Sequence, residues 1–234
     1  MSNKNIDEKT VYELYNKYVV KDSNYFQKFE NIPTILTKEV LQAWKGRDVP
    51  RLCSLLDYSE WVNKYNLQSG ECLLSTCAGD DELRWLSYKQ IHYAPYPPHD
   101  LHTLSLEKKD YDFVIFNQTL EHLYNPYQAV SKLYEHIKPG GFLYTTVPTI
   151  NIPHMVPIHY SGITPIGLCV MMHTSGFEIC ECGHWGNKKY IDYIFSNNKW
   201  PGWDEIVENN KLANDPVCQA QTWILVRKPH ATAS

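Results

Sequence analysis

The chain has 234 residues, a mass of 27.3 kDa and a formal net charge of −4 at pH 7. This length predicts one domain with room for a helical annex, and its 43% hydrophobic and 21% charged residues are typical of a globular protein. The acidic balance gives no attraction to nucleic acid, and no apolar run reaches the length of a membrane span, so neither partner is predicted.

The N-terminus lacks the apolar core of a signal peptide, and the seven cysteines form no disulfide framework. Both features favour reduced thiols and a cytoplasmic protein. Cys180, Cys182 and His184 are residue types that bind zinc, but they lie in a strand pattern without a second cysteine pair. We therefore predict no metal site.

Residues 1–69 predict helices separated by breaks. Val11–Tyr15 and Trp61–Tyr65 fit helical faces, whereas the segments Asn31–Pro33 and Asp48–Pro50 interrupt them.

The segment Glu71–Leu86 predicts a strand, a turn at Ala78–Asp80 and an amphipathic helix. Taken alone, it indicates no cofactor. The next segment, Ile91–Leu101, is short and rich in proline.

The clearest pattern lies between Tyr111 and Pro148. Phe113–Phe116 is a short run of β-forming residues and predicts a buried strand. Asn125 and Pro126 are typical of a helix start, and a glycine turn at 138–141 leads into a second strand. Strand, helix and strand form a βαβ unit with two parallel strands.

The C-terminal third predicts a helix over 163–173, begun by Thr164 and Pro165. Phe177–Cys182 and Thr222–Arg227 predict two strands that complete the sheet as an antiparallel pair. Residues 192–216 are expected to form a surface excursion.

The run from Asp112 to His122, followed by Lys138-Pro-Gly-Gly, resembles the fourth strand, helix and fifth strand of the class I S-adenosylmethionine (SAM)-dependent methyltransferases. The small-molecule, glycan-pathway branch known as methyltransferase type 11 is the most similar one. Further matching positions are His154, Pro157, Tyr160, Thr164–Pro165, Gly176–Glu178 and Gly183–Asn187.

The resemblance implies a Rossmann-like α/β fold, with a seven-stranded, mostly parallel sheet and helices on both faces. It places the methyltransferase domain at 70–228, before a flexible tail at 229–234. It also implies that the N-terminal helical segment 1–69 acts as a cap over the active site.

The resemblance also implies SAM as the cofactor. Its glycine loop would fall at Cys77, Ala78 and Gly79, with only Gly79 keeping the family's glycine, and no ribose-binding carboxylate follows the second strand. The remaining cofactor contacts implied are Asp100 and Leu101 at the adenine and Asn117, Gln118 and His122 after the fourth strand.

Methyl transfer requires donor and acceptor to be held in line, and sometimes a base. Histidine has a suitable pKa, so His159 and His154 are the candidate catalytic residues, together with Tyr160. His122 and Glu121 are further candidate bases at this edge. For His122, holding its loop by hydrogen bonding is an equally good interpretation, and Tyr160 also fits a substrate wall.

The leading prediction is methyl transfer from SAM to a hydroxyl or amine of a small molecule, with a sugar or nucleotide-sugar preferred. The alternative is a catalytically inactive methyltransferase fold that binds a ligand or partner. A nicotinamide-dependent oxidoreductase is disfavoured because no G-x-G-x-x-G follows a strand. The sequence does not predict the oligomeric state.

Overall fold

The structure is a computed structural model that describes residues 6–20, 25–30, 48–77, 80–84, 86–154, 158–201, 205, 213–215 and 217–230. Within these ranges no helix is both long and apolar enough to cross a membrane.

A single mixed sheet organises the domain. Its strands are β1 (Ser69–Cys77), β2 (Ser87–Tyr93), β3 (Tyr111–Phe116), β4 (Ile137–Pro148), β5 (Glu178–Trp185) and β6 (Gln221–Arg227). Their order across the sheet is β2, β1, β3, β4, β6 and β5. Strands β2, β1, β3 and β4 run parallel, and β6 is antiparallel to both β4 and β5.

The predicted α/β fold and the antiparallel pair at the far edge are confirmed, but the described chain has six strands where seven were expected. The residues between β2 and β3 form turns and loop instead of another strand. Pro95, Pro97 and Pro98 begin this connection, and a proline has no N–H to donate to a strand ladder.

Helices cover both faces of this sheet. They are α1 (Glu8–Leu14) with its π-helical extension (Tyr15–Val19), α2 (Tyr25–Glu30), α3 (Val49–Lys64), α4 (Asp80–Leu83), α5 (Pro126–His136), α6 (Pro165–Thr174) and α7 (Lys188–Asn197). One face carries α1, α5 and α6, and the other carries α3 and α7.

The helix starts form as the sequence predicts. Asn125 Oδ1 accepts a hydrogen bond from Gln128 N at 3.2 Å, and Thr164 Oγ1 accepts one from Gly167 N at 3.2 Å. Each side chain satisfies a backbone N–H that has no partner inside the helix, which stabilises such a start by about 1 kcal/mol.

Two sequence expectations differ from the structure or lie beyond it. The surface excursion predicted from residue 192 overlaps α7, whose Tyr190 and Ile194 are buried against the sheet. The break at Asn31–Pro33 lies outside the described residues.

In the described part of the N-terminal segment, α1 contacts α6 and α3 contacts β5 and β6. The cap predicted over the active site stays a prediction.

Asp57 on α3 fastens the N-terminal segment to the sheet. Its buried carboxylate accepts hydrogen bonds from Tyr25 Oη at 2.9 Å and Trp223 Nε1 at 2.8 Å, and it pairs with Lys28 at 2.6 Å. These contacts link α2, α3 and β6. The three partners replace the water that the Asp57 carboxylate loses on burial, and a buried charge is stable only with such partners.

Candidate functional site

A cleft of about 490 Å³ opens where the parallel strands β1, β2 and β3 end. In open parallel sheets ligands bind beyond the carboxyl ends of the strands, and this volume lies in the range of small-molecule sites. The lining residues are Thr76, Cys77, Ala94, Pro95, Tyr96, His99, Asp100, Leu101, His102, Gln118, Thr119, His122, Leu123, Tyr124, Ile158 and Tyr160.

Several residues expected at the cofactor meet in this cleft although they are far apart in the chain. Cys77 follows β1, Asp100 and Leu101 lie in the loop after β2, and Gln118 and His122 follow β3. Of the catalytic candidates, Tyr160 also lines the cleft. Ala78 and Gly79 lie outside the described residues.

Asn117 is placed differently from the other cofactor candidates. It is buried below the cleft, and its Nδ2 donates to Glu82 Oε1 at 2.7 Å. Glu82 is itself fully buried on α4 and pairs with Arg51 Nη2 of α3 at 2.6 Å. This network attaches α4, which follows β1, to the end of β3, so Asn117 supports the wall of the cleft from behind.

The adenine-side candidate Asp100 is oriented by a neighbour that the sequence analysis did not select. Its Oδ1 accepts hydrogen bonds from the backbone N and Nδ1 of His102, at 2.9 and 2.7 Å. The backbone bond is the main cause that lowers the pKa of Asp100, so the carboxylate is ionised at neutral pH. His102 also stacks on Tyr124, with ring centroids 4.0 Å apart. No motif in the sequence marks this His–Tyr stack.

The end of β2 provides no carboxylate for a ribose. Ala94, Pro95 and Tyr96 lie there instead, and Ala94 N donates to Ser75 O of β1 at 2.9 Å. The volume of the cleft therefore suits a small molecule, and Asp100 lies in its lining, but no acid follows β2 where the resemblance would place one.

A cluster of one carboxylate and three imidazoles adjoins the cleft through His122. His122 Nε2 lies 3.2 Å from His154 Nε2, and the ring centroid of His159 lies 4.7 Å from that of His154. Glu121 Oε1 is 3.8 Å from His122 Nε2 and 4.0 Å from His154 Nε2. His154 and His159, both predicted as catalytic, are thus brought together beside His122.

Burial changes the proton affinities in this cluster. Glu121 is fully buried, and neither of its carboxylate oxygens has a hydrogen-bond partner among the described residues. This desolvation raises the pKa of Glu121 to about 8. Desolvation lowers the pKa values of His122 and His159, and the neighbouring His154 lowers them further. Both rings are therefore neutral at pH 7.

The loop that carries His159 and Tyr160 is anchored to Glu121 and β4 through the backbone. Tyr160 N donates to Glu121 O at 2.7 Å, and Ile163 N donates to Pro148 O at 2.9 Å. Gly162 packs so closely on the Thr149 carbonyl that a Cβ atom there would overlap it. The Tyr160 bond therefore holds the loop against the 3₁₀ turn at Leu120–His122, and the Gly162 contact holds it against the end of β4.

Residues 46–181, more than half of the chain, match the sequence model of a family described as a methyltransferase domain. The chain belongs to this family. The class I, SAM-dependent methyltransferase assignment predicted from Asp112–His122 and Lys138–Gly141 is confirmed, and SAM is the cofactor of this enzyme class. A search of curated proteins gives no match to the chain.

Solved structures are similar in fold. A putative sarcosine dimethylglycine methyltransferase from Galdieria sulphuraria has 12% identity and a TM-score of 0.52, over 88% of this chain and 97% of that one. The [4+2]-cyclase SpnF has 14% identity and a TM-score of 0.51, over 80% of this chain and 84% of that one. Relationships this distant show the fold alone, and these two proteins are named for different activities, so the acceptor must be argued from the site.

Proposed function

We propose that this methyltransferase methylates a hydroxyl or amine of a small molecule, preferentially a sugar or nucleotide-sugar. The observation that carries the proposal is the position of His122. This side chain lines the cleft and at the same time contacts the cluster formed with His154 and His159. A cofactor-sized space and a group of proton acceptors therefore meet at one sheet edge.

In the proposed reaction, bound SAM supplies a methyl group on an electrophilic sulfonium. Cys77, Asp100, Leu101 and Gln118 would hold it by lining the cleft. Tyr160, 55% exposed, forms a wall beside this space. The remaining task is to orient the acceptor in line with the methyl group and to accept its proton.

His159 is the better placed proton acceptor of the two catalytic histidines. Its Nδ1 is buried and has no hydrogen-bond partner among the described residues, and the lowered pKa keeps the ring neutral at pH 7. His154, in contrast, has Nε2 directed at His122 and Nδ1 at Ile152 O. We assign proton acceptance to His159 and a supporting role to His154.

The preference for a sugar derives from the resemblance and is supported by aromatic side chains near the cluster. Trp200 lies 6.2 Å from His154 between ring centroids, and its Nε1 donates to Asn151 Oδ1 at 2.7 Å. With Tyr160 it offers flat apolar surface next to polar groups, which suits the face and hydroxyls of a sugar ring. The seven free cysteines support the cytoplasmic location that forms part of this proposal.

The first test is calorimetric titration of the full chain with SAM and with S-adenosylhomocysteine. Micromolar binding of both is expected. Cys77→Phe should reduce the affinity at least tenfold because the larger side chain enters the cleft, while Val217→Phe at an 84% exposed position should not. If a folded sample binds neither compound, methyl transfer is refuted and the inactive, ligand-binding alternative is supported.

The acceptor class requires a second test. Formation of S-adenosylhomocysteine would be measured with panels of sugars, nucleotide-sugars and small amines. His159→Gln should lower kcat for a hydroxyl acceptor by about 10²–10⁴-fold and change SAM affinity little, since a general base contributes that much. Turnover only with acceptors outside the sugar panels would contradict the sugar preference.

A further inference from the structure

Glu121 is a buried acid without a conventional partner. Its side chain has no solvent exposure, and both carboxylate oxygens lack hydrogen bonds among the described residues. Buried carboxylates in proteins are paired, protonated or bound to a metal, because an isolated charge is strongly destabilised away from water. Two imidazole nitrogens, His122 Nε2 and His154 Nε2, lie 3.8 and 4.0 Å from its Oε1.

The hydrogen bonds of the two histidines fix which nitrogens are free. His122 Nδ1 lies 3.0 Å from Ile158 O, and His154 Nδ1 lies 3.3 Å from Ile152 O. A carbonyl can only accept, so both Nδ1 atoms carry a proton, and in neutral rings both Nε2 atoms present lone pairs. Such backbone anchoring of the second nitrogen is typical of metal-binding histidines.

These lone pairs converge with the carboxylate. The two Nε2 atoms are 3.2 Å apart, and they lie 3.8 and 4.0 Å from Glu121 Oε1. A triangle with these sides has a point about 2.1 Å from all three corners, and zinc bonds to histidine and carboxylate are about 2.0–2.2 Å long. In the described part of the chain, this is the one group of three or more potential ligands whose atoms converge in this way.

We infer that Glu121, His122 and His154 form a binding site for a divalent first-row transition metal, such as zinc. Two imidazoles and one carboxylate select such ions over magnesium, and three protein ligands leave a coordination position open. Because His122 lines the cleft, that position would be next to the bound acceptor. His159, whose ring lies beside His154, would be the base closest to it.

The role of the metal rests on the proposed methyl transfer. An acceptor hydroxyl bound to the ion would release its proton more easily. The proton passes to His159, the oxygen forms a bond to the methyl carbon, and the bond from that carbon to sulfur breaks with its electron pair kept by sulfur. The products are the methyl ether and S-adenosylhomocysteine, so atoms and charges balance.

The test is direct titration of the full chain with zinc after chelator treatment and dialysis, in the absence of SAM. One zinc ion per chain should bind with micromolar or tighter affinity, and cobalt should give visible d–d bands. Glu121→Gln and His154→Gln should each weaken zinc binding at least 30-fold. Glu71→Gln and His173→Gln, which change the same residue types away from the cluster, should stay within twofold.

Circular dichroism and cobalt spectra of every variant separate a lost site from a lost fold. The inference is overturned if the folded protein binds neither zinc nor cobalt, if it binds magnesium only, or if the two ligand variants bind zinc as the parent does. SAM titration in the presence of chelator is independent of this result. Zinc binding without SAM binding would uphold the metal site and refute the methyltransferase proposal, and the reverse outcome would do the opposite.

Discussion

The ion pair between Arg51 and Glu82 provides a quantitative test of how α4, the helix that follows β1, is held in place. Arg51 Nη2 lies 2.6 and 2.7 Å from the two carboxylate oxygens. The Glu82 side chain is fully buried and that of Arg51 is 19% exposed. Burial raises the pKa of Glu82, and the Arg51 charge offsets part of this increase. Each charge compensates the burial of the other, so removing one partner leaves the other without compensation.

Replacing one partner should cost much more than replacing both. Glu82→Leu leaves the guanidinium without its acid and also removes the bond from Asn117, so we expect a loss of about 4 kcal/mol in the free energy of unfolding. Arg51→Met should cost about 3 kcal/mol, because the buried carboxyl can escape part of the penalty by taking up a proton. The double variant should lose only about 2 kcal/mol, which leaves Asn117 as the main unsatisfied group.

Urea denaturation of the four proteins measures these values, and the cycle should give a coupling of several kcal/mol. For a chain of this length each kcal/mol corresponds to roughly 2–4 °C in Tm, so calorimetry provides a second reading. If the two single effects add to within about 0.5 kcal/mol in the double variant, the partners are independent and the argument for a buried pair is refuted.

Three further predictions concern the cleft, the core and the buried acid. Tyr124→Ala, which removes the stack on His102, should weaken SAM binding about three- to tenfold in calorimetry, whereas Tyr127→Ala, at another exposed tyrosine outside the cleft lining, should not. Gly183→Ala should lower the free energy of unfolding by about 2–3 kcal/mol in urea melts, because the new Cβ would overlap the Trp223 indole; an unchanged melt would contradict this close packing. For Glu121, a pKa near 8 in the folded state means that the native protein holds the proton longer than the unfolded chain does. In metal-free protein the free energy of unfolding should therefore fall as pH rises from about 5 to 8, by up to about 4 kcal/mol, and Glu121→Gln should remove this slope.

The elements predicted well from the sequence are those set by neighbouring residues. Asn125 and Thr164 cap helices because an oxygen on a short side chain reaches an N–H three residues later, and this chemistry is visible in a window of a few residues. The apolar run Phe113–Phe116 becomes a central strand for a similar reason, since β-forming residues without polar alternation suit burial on both faces.

The features that the sequence did not reveal depend on contacts between distant segments. Asn117 has the pattern of a ligand-binding residue after a strand. In the structure its side-chain amide donates a hydrogen bond to Glu82, which lies 35 residues earlier in the chain. Likewise, Glu121 and His154 meet because the loop after β4 is hydrogen-bonded back to the Glu121 backbone. No periodicity or spacing encodes such a meeting, and the sequence therefore predicted bases at these positions but no metal site.

Two acids at the same edge of the sheet show how structure separates support from function. Glu82 and Glu121 are both fully buried, and burial raises the pKa of each. Glu82 has a guanidinium and an amide as partners, so its charge is already compensated within the protein. Glu121 has no hydrogen-bond partner within the described part of the chain, and the imidazole nitrogens 3.8 and 4.0 Å away attract a proton or a cation but cannot neutralise a carboxylate themselves. An arrangement that destabilises the empty protein becomes stabilising once a positively charged ligand binds, and such differential stabilisation is what a binding site requires.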